Sequence, residues 1–472
     1  MINNGYMNQD LSFQVVIKLA EGFRFEDQEV DDKQNCIFRD PSAVPWQVLE
    51  LFPGIQLKKL FHSVASQEIK NLTALATKQD PAYYQPDFFS FYSLNCPVSI
   101  DPYQLLEALG AEKIIQYAYI ENVPVRPPAL KDEKDIRHPL QNYLLPAPFG
   151  VNALYAWNFN GGNGDAKIKF VDIEQGWVLN HENVCIKTLS CTGINHYDFR
   201  DHGIGVLGII MMQHDDVRGI TPNANGFVIS QWRPDGFFNT ADAIMAAINE
   251  LNYGDILLLE MQCFESPSSC KLWPIEIQEA VFHAIRLATA LGIIVIETAG
   301  NGDLQSMTGN DLDTLAINGK NILNRDSADF RDSRAILVTA CSNGLPRERT
   351  RFANYGSRVD CFACGENVQT TGNFPRSSGM AVNTFTNQFG GTSAAAAIVA
   401  GATIAIQSIS ERNKDVRLSP EQMRFVVSSE LYNTVSANGK KDKIGAMPDL
   451  KKIIDNHFVT KNTNKNQIQH ID

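Results

Sequence analysis

The sequence predicts an α/β protein: a parallel β-sheet flanked by helices, preceded by a small α+β domain. Two observations carry this reading. From about residue 140 to 457 strand-like and helix-like segments alternate, which is the pattern of a parallel sheet whose crossovers are helices. Within that stretch Ile256 to Leu259 and Ile293 to Ile296 are continuous apolar runs, as strands buried on both faces must be. The chain has 472 residues, enough for two domains, and no internal repeat is visible.

Taken in order, Phe13 to Leu19, Phe88 to Leu94 and Ile114 to Ile120 read as strands. Val44 to Phe52, Gln67 to Thr77 and Pro102 to Leu109 read as helices between them. Together they make an N-terminal α+β domain over residues 1–125. Pro124, Pro127 and Pro128 open a charged linker over 126–140. The second domain, 141–457, reads as strands at Lys167 to Asp172, Asn225 to Gln231, Asp255 to Met261, Gly292 to Thr298 and Ala335 to Ala340. Helices are expected at Gly203 to Gln213, Thr240 to Leu251 and Ile275 to Leu291. Ser419-Pro420-Glu421-Gln422 has the form of a capping box with proline at the first helical position. The polar tail, 458–472, reads as disordered.

Composition narrows the function. Hydrophobic residues make up 44% and charged residues 20%, as in soluble globular chains. A formal net charge of −12 argues against a nucleic-acid partner. No apolar run looks long enough for a membrane span; Ala394 to Ile406 reads as a buried helix rich in Ala and Gly. The N-terminus shows no basic segment followed by an apolar core, so the expected location is cytoplasmic or non-classically exported. There are nine cysteines. Cys185 with Cys191, Cys263 with Cys270, and Cys361 with Cys364 are close enough to close short loops under oxidising conditions; free thiols in a reducing compartment fit equally. Cys361 to Cys364 is a lone CxxC without a second pair at zinc spacing, so no metal site is expected there.

Four short segments carry chemistry. Gly390-Gly391-Thr392-Ser393-Ala394 places Ser393 at a helix N-terminus, where backbone N–H groups and the helix dipole stabilise a developing oxyanion. Asp201-His202-Gly203 opens a glycine-containing helix with an imidazole suited to general-base work. Asp172-Ile173-Glu174-Gln175-Gly176 ends a strand with carboxylates able to orient that imidazole. Ala299-Gly300-Asn301-Gly302 follows a buried strand, and the Asn301 amide can donate to an oxyanion. Alone, each has a bland reading as a cap, a turn or a packed helix.

In the order acid, His, Asn, Ser, these segments resemble the four signature segments of the subtilisin-like serine peptidases. Gly219-Ile220-Thr221-Pro222 and Arg351-Phe352-Ala353-Asn354-Tyr355-Gly356 extend the resemblance, which covers most of residues 150–410. It implies a subtilisin-like fold and a serine endopeptidase acting on a peptide or protein, with Ser393 as nucleophile, His202 as base and Asn301 at the oxyanion. It implies no required cofactor, although many relatives bind calcium structurally. Asn160 to Asp165 and Asn310 to Asp313 are the oxygen-rich loops that leave room for one. The N-terminal domain stands where relatives carry a propeptide, so it is a candidate intramolecular inhibitor; a permanent accessory domain fits as well. A catalytically inactive binding protein on the same fold is the rival from another class.

The departures matter. Ala394, Ala397 and Ile398 stand where relatives have Met and then Pro-His, and Ile204 replaces a threonine. The edge that usually reads Ser-Leu-Gly is Glu260-Met261-Gln262, expected with Gly300 to bind substrate. The acid is ambiguous. Counting forward along the strand selects Asp172; counting back from Gly176 selects Glu174. Both point to one face if the strand continues. Asp172 is the favoured partner of His202, with Glu174 its rival.

Overall fold

Gln14–Leu19 (β1) has apolar residues on both faces, and both are buried. Val15, Ile17 and Leu19 join a small core with Leu105 and Leu109, while Val16 joins the much larger core of the second domain. The structure, a computed structural model, describes residues 14–23, 48, 51–121 and 141–458, apart from 166, 267–268, 373–374, 377–378 and 381–383.

Gln56–Lys59 (β2), Phe91–Asn95 (β3) and Ile115–Glu121 (β4) complete an antiparallel sheet with β1, in the order β2-β3-β1-β4. Ser66–Gln79 (α1) and Pro102–Gly110 (α2) connect the strands. Asp101 caps α2 by accepting from the Tyr103 N–H, and Pro102 takes the first turn, where its missing N–H costs nothing. The other face of this sheet, with α1, packs on two helices of the second domain, Thr240–Glu250 and Glu279–Ala290.

The second domain is built on Lys169–Glu174 (β5), Lys187–Thr188 (β6), Asn225–Ser230 (β7), Ile256–Leu259 (β8), Ile294–Thr298 (β11), Ile336–Cys341 (β12), Cys361–Cys364 (β13), Thr434–Val435 (β18) and Ala446–Met447 (β19). Between them run short antiparallel pairs: Gln262–Phe264 (β9) with Leu272–Pro274 (β10), Val368–Gly372 (β14) with Thr384–Phe389 (β17), and Pro375–Arg376 (β15) with Gly379–Met380 (β16). The nine-stranded sheet has the order β18-β19-β13-β12-β11-β8-β5-β7-β6 and is parallel except for β18 against β19. The fold is therefore subtilisin-like, α/β with a mostly parallel sheet.

Its longer helices are Arg200–Met211 (α3), Thr240–Glu250 (α4), Glu279–Ala290 (α5), Gly391–Lys414 (α6), Pro420–Ser428 (α7) and Leu450–His457 (α8). The expected capping box on α7 is present: Ser419 accepts from Gln422 N–H, and the Gln422 side chain accepts from Ser419 N–H. β5 lies between β8 and β7, so the chain leaves it in both directions. A crevice opens outside the carboxyl ends of the strands at such a switch point.

Several elements differ from the sequence reading. β5 runs two residues further than expected, through Glu174. Phe88–Ser90 is a 3-10 turn ahead of β3, and Ile275–Ile277 is a 3-10 turn separated from α5. Helix α6, at 24 residues, is long and apolar enough to cross a bilayer, contrary to the expectation, but its apolar stretch is buried in the core against β8, β11, β12 and β13. Small residues permit this approach: a side chain on Gly401 would meet Ile220 at 2.8 Å. The linker, the tail from 459 and most of the Val44 to Phe52 segment lie outside the described residues.

Candidate active site

Strand alternation puts Phe170, Asp172 and Glu174 on the face of β5 that looks toward α3 and α6. Glu174, the last residue of β5, meets the imidazole: His202 Nδ1 and Glu174 Oε2 are 2.6 Å apart. Asp172 does not. Its Oδ2 accepts from Trp177 Nε1 at 2.7 Å, and the residue is fully buried. The preference for Asp172 as the partner of His202 is thus corrected to Glu174. The reason is reach along the strand, since two residues advance the backbone about 6.6 Å. His202 stands in the first turn of α3, above the end of β5. Asp172 is a step deeper, beneath the Trp177 indole.

That indole is itself held in place. Trp177 N–H donates to Asn195 Oδ1 at 2.8 Å, and Asn195 Nδ2 donates back to Trp177 O at 3.0 Å. Helix α3 rests directly on this turn. A side chain on Gly203 would fall 2.3 Å from Gly176 O and 2.5 Å from Trp177 Cδ1. Gly203→Ala must therefore push α3, and His202 with it, off the end of β5. The expected cost is about 1–3 kcal/mol of stability. Because a displacement near 1 Å can cost about a hundredfold in rate, kcat should fall more than thermal stability does. Unchanged kcat with lowered stability would show that α3 does not set the imidazole position.

Burial pushes the His202 imidazole down to about 4, against the opposing charges of Asp201 and Asp172. It is an unprotonated base at neutral pH. Burial likewise raises the carboxyls of Glu174 and Asp172, helped in each case by a neighbouring carboxylate: Asp201 for Glu174, and Glu174 for Asp172.

Ser393 lies in the first turn of α6. Gly391 precedes it with φ of 86°, a left-handed conformation that glycine adopts without strain. Asn301 follows β11 and is held from two sides. Its N–H donates to Gln262 Oε1 at 2.8 Å, and its Oδ1 accepts from Thr392 N–H at 2.9 Å and from Thr392 Oγ1 at 3.2 Å. With Oδ1 occupied, Nδ2 is the donor left without a partner among the described residues, next to the start of α6.

These groups line one cleft of about 450 Å³. Glu174, His202, Asn301 and Ser393 all line it, as do Glu260, Met261 and Gln262. The expected substrate edge is partly committed elsewhere: Met261 O accepts from Thr298 Oγ1, and Gln262 holds Asn301. Gly300 does not line the cleft. Its φ of 96°, and the 2.8 Å at which a side chain placed there would meet Asn354 Nδ2, make it a backbone requirement of the Asn301 loop.

The sequence reading missed three contributors. Asn354 donates to Leu272 O and Ala299 O and accepts from Asn310 N–H, pinning the loop that carries Asn301. Trp177 separates the two acids. Glu121, the last residue of β4, reaches the cleft from the N-terminal sheet. The first two stood inside segments already singled out; nothing near Glu121 marked it.

The oxygen-rich loops are engaged within the protein. Asp165 pairs with Arg412, and Asp313 pairs with Lys443 and accepts from Ser357 N–H. Among the described residues no cluster of three or more His, Cys, Asp or Glu side chains forms a metal site, and all eight described cysteines are free thiols.

Residues 179–446 match the model of the subtilase family, which is more than half of the chain. The chain belongs to the subtilase family. No curated protein matches this subtilase in sequence. Among solved structures it is similar to the prenylagaramide maturation protease PagA, at 18% identity and TM-score 0.46, over 64% of this chain and 97% of that one. It is also similar to a cold-adapted subtilisin-like serine proteinase, at 19% identity and TM-score 0.39, over 62% and 89%. Family membership supports a serine-type peptidase with a protein or peptide substrate. The matched span begins after β5, so the acids lie outside it.

Proposed function

We propose that this subtilase is a serine endopeptidase that works through an acyl-enzyme on Ser393. The 2.6 Å contact between Glu174 and His202, in a cleft shared with Ser393 and Asn301, carries the reading. Glu174 accepts from Nδ1–H and so fixes the tautomer that leaves Nε2 bare. Nε2 takes the Ser393 proton as Oγ attacks the peptide carbonyl carbon. The oxyanion forms between Asn301 Nδ2 and the N–H of Ser393, at the positive end of α6; one such donor is worth about 10²–10³ in rate. As the C–N bond breaks, His202 passes its proton to the leaving amine. Water then enters by the same route and releases the acid. These steps draw only on side chains and backbone of this chain. The N-terminal sheet, which brings Glu121 to the cleft, acts as an intramolecular inhibitor in this reading.

The test is covalent labelling with a fluorophosphonate, with intact mass recorded. Wild type should gain one adduct and Ser393→Ala none. Equal labelling of both would remove Ser393 as the nucleophile, and labelling of neither, with none gained when Asp242→Ala releases the N-terminal sheet, would mean that Ser393 is not activated in the folded chain.

A further inference from the structure

The mechanism above leaves one buried carboxyl of the cleft unused. Glu260 directly follows β8, with its N–H directed to Ile173 O at 3.4 Å, and its side chain lines the cleft beside Ser393. Only 8% of the residue is exposed. The Ser393 hydroxyl is close enough to favour the charged carboxylate. Yet neither Oε1 nor Oε2 completes a hydrogen bond of ordinary geometry among the described residues. A buried carboxyl without a settled partner is costly, and such groups concentrate where a site uses them.

Building on the reading of Ser393 as nucleophile, we infer that Glu260 is a positioning residue that competes with His202 for the Ser393 hydroxyl. When Glu260 is ionised, its carboxylate accepts the Ser393 O–H and turns it away from His202 Nε2. When Glu260 is protonated it no longer attracts that hydrogen, and Ser393 is released to donate to the base. The protonated enzyme is therefore the reactive one.

The surroundings favour the protonated form over a wide range. Asp172 and Glu174 on β5 face Glu260 with like charge, and their repulsion adds to the larger effect of burial in raising its carboxyl well above the usual range. Asp201 and His202 from α3, Glu121 from β4 and Glu366 after β13 complete the titratable groups that line the cleft among the described residues. Among the described residues no Lys or Arg lines it to hold the anion. The sign follows. Reactivity is present while Glu260 keeps its proton and declines as rising pH removes it. The acid limb belongs to the His202–Glu174 pair.

The experiment follows the labelling rate of Ser393 with a fluorophosphonate from pH 4 to 10 in the full chain. In that reaction the Ser393 Oγ–P bond forms, fluoride leaves with the P–F electrons, and the hydroxyl proton passes to His202. Wild type should lose about tenfold or more of its maximal rate on the alkaline side, one logarithmic unit per pH unit past the titration. Glu260→Gln cannot ionise and should show no such decline on the alkaline side. Glu260→Asp should regain the alkaline loss, and circular dichroism should be unchanged in both. Superimposable profile shapes for wild type and Glu260→Gln, at whatever absolute rate, would overturn the inference and leave Glu260 a packing residue. Absence of labelling at every pH in wild type, in Glu260→Gln and in the undocked Asp242→Ala alike would instead overturn the nucleophile reading, and this inference with it.

Discussion

Glu174→Ala should lower kcat/KM on a cleaved peptide by about ten-thousand-fold, the scale seen when a triad acid is lost. That corresponds to about 5.5 kcal/mol of transition-state stabilisation. Without Glu174 the imidazole loses the acceptor 2.6 Å from Nδ1 and with it both its tautomer and its orientation. Asp172→Asn is the matched control. The asparagine Oδ1 can still accept from Trp177 Nε1, so the turn beneath α3 survives. Its effect should stay within about tenfold, near 1.4 kcal/mol. The reverse ranking, with Asp172→Asn the more damaging, would return the acid to Asp172. Thermal unfolding on both variants separates a catalytic loss from a folding one.

The second large effect is expected at Asp242, a fully buried carboxylate in the first turn of α4. It holds the N-terminal unit to the peptidase. Its Oδ1 accepts from His62 N–H at 2.8 Å and from Ser63 N–H at 2.9 Å, while Oδ2 accepts from Arg233 Nε at 2.9 Å. The Ser63 hydroxyl bonds to both Asp242 and Arg233. Asp242→Ala leaves Arg233, also fully buried, without its counter-charge, and breaking such a pair costs about 3–5 kcal/mol. Half of this interaction crosses from α4 to the N-terminal unit, so the variant should expose residues 14–121 to limited proteolysis and raise fluorophosphonate labelling. Glu121 adds a pH dependence to the docking. Burial raises its carboxyl from 4.5 to about 7. Docking is then fully favoured below 4.5 and weakens as pH rises through about 7. Proteolytic protection and labelling identical to wild type would show that the unit does not depend on Asp242 for docking.

Much of this architecture was legible in the sequence because single segments specify it. The β8 run Ile256 to Leu259 had to be buried on both faces. Ser419 to Gln422 carried its own capping box. Ser393 and His202 stood in short motifs whose glycines only make sense against close neighbours, as Gly203 against Gly176 O now shows. The unread parts were those decided across the chain. Glu121 and Asp242 are far apart in sequence from the groups they meet, Thr240 and Ser63.

The acids of β5 show where the division lies. The sequence by itself determined that Asp172 and Glu174 share one face, because strand side chains alternate with a period of two. It could not say which one meets His202, because that depends on how far β5 continues and where α3 crosses its end. The tertiary structure decided it: Trp177 folds back over Asp172 and leaves Glu174 to the imidazole. Likewise the Glu260-Met261-Gln262 edge was visible as a departure, but only the packing of β8 beside β5 and α6 brought the Glu260 carboxyl to Ser393. Local periodicity is written in neighbouring residues, whereas the distance between two carboxylates and one imidazole is set by how separate elements pack.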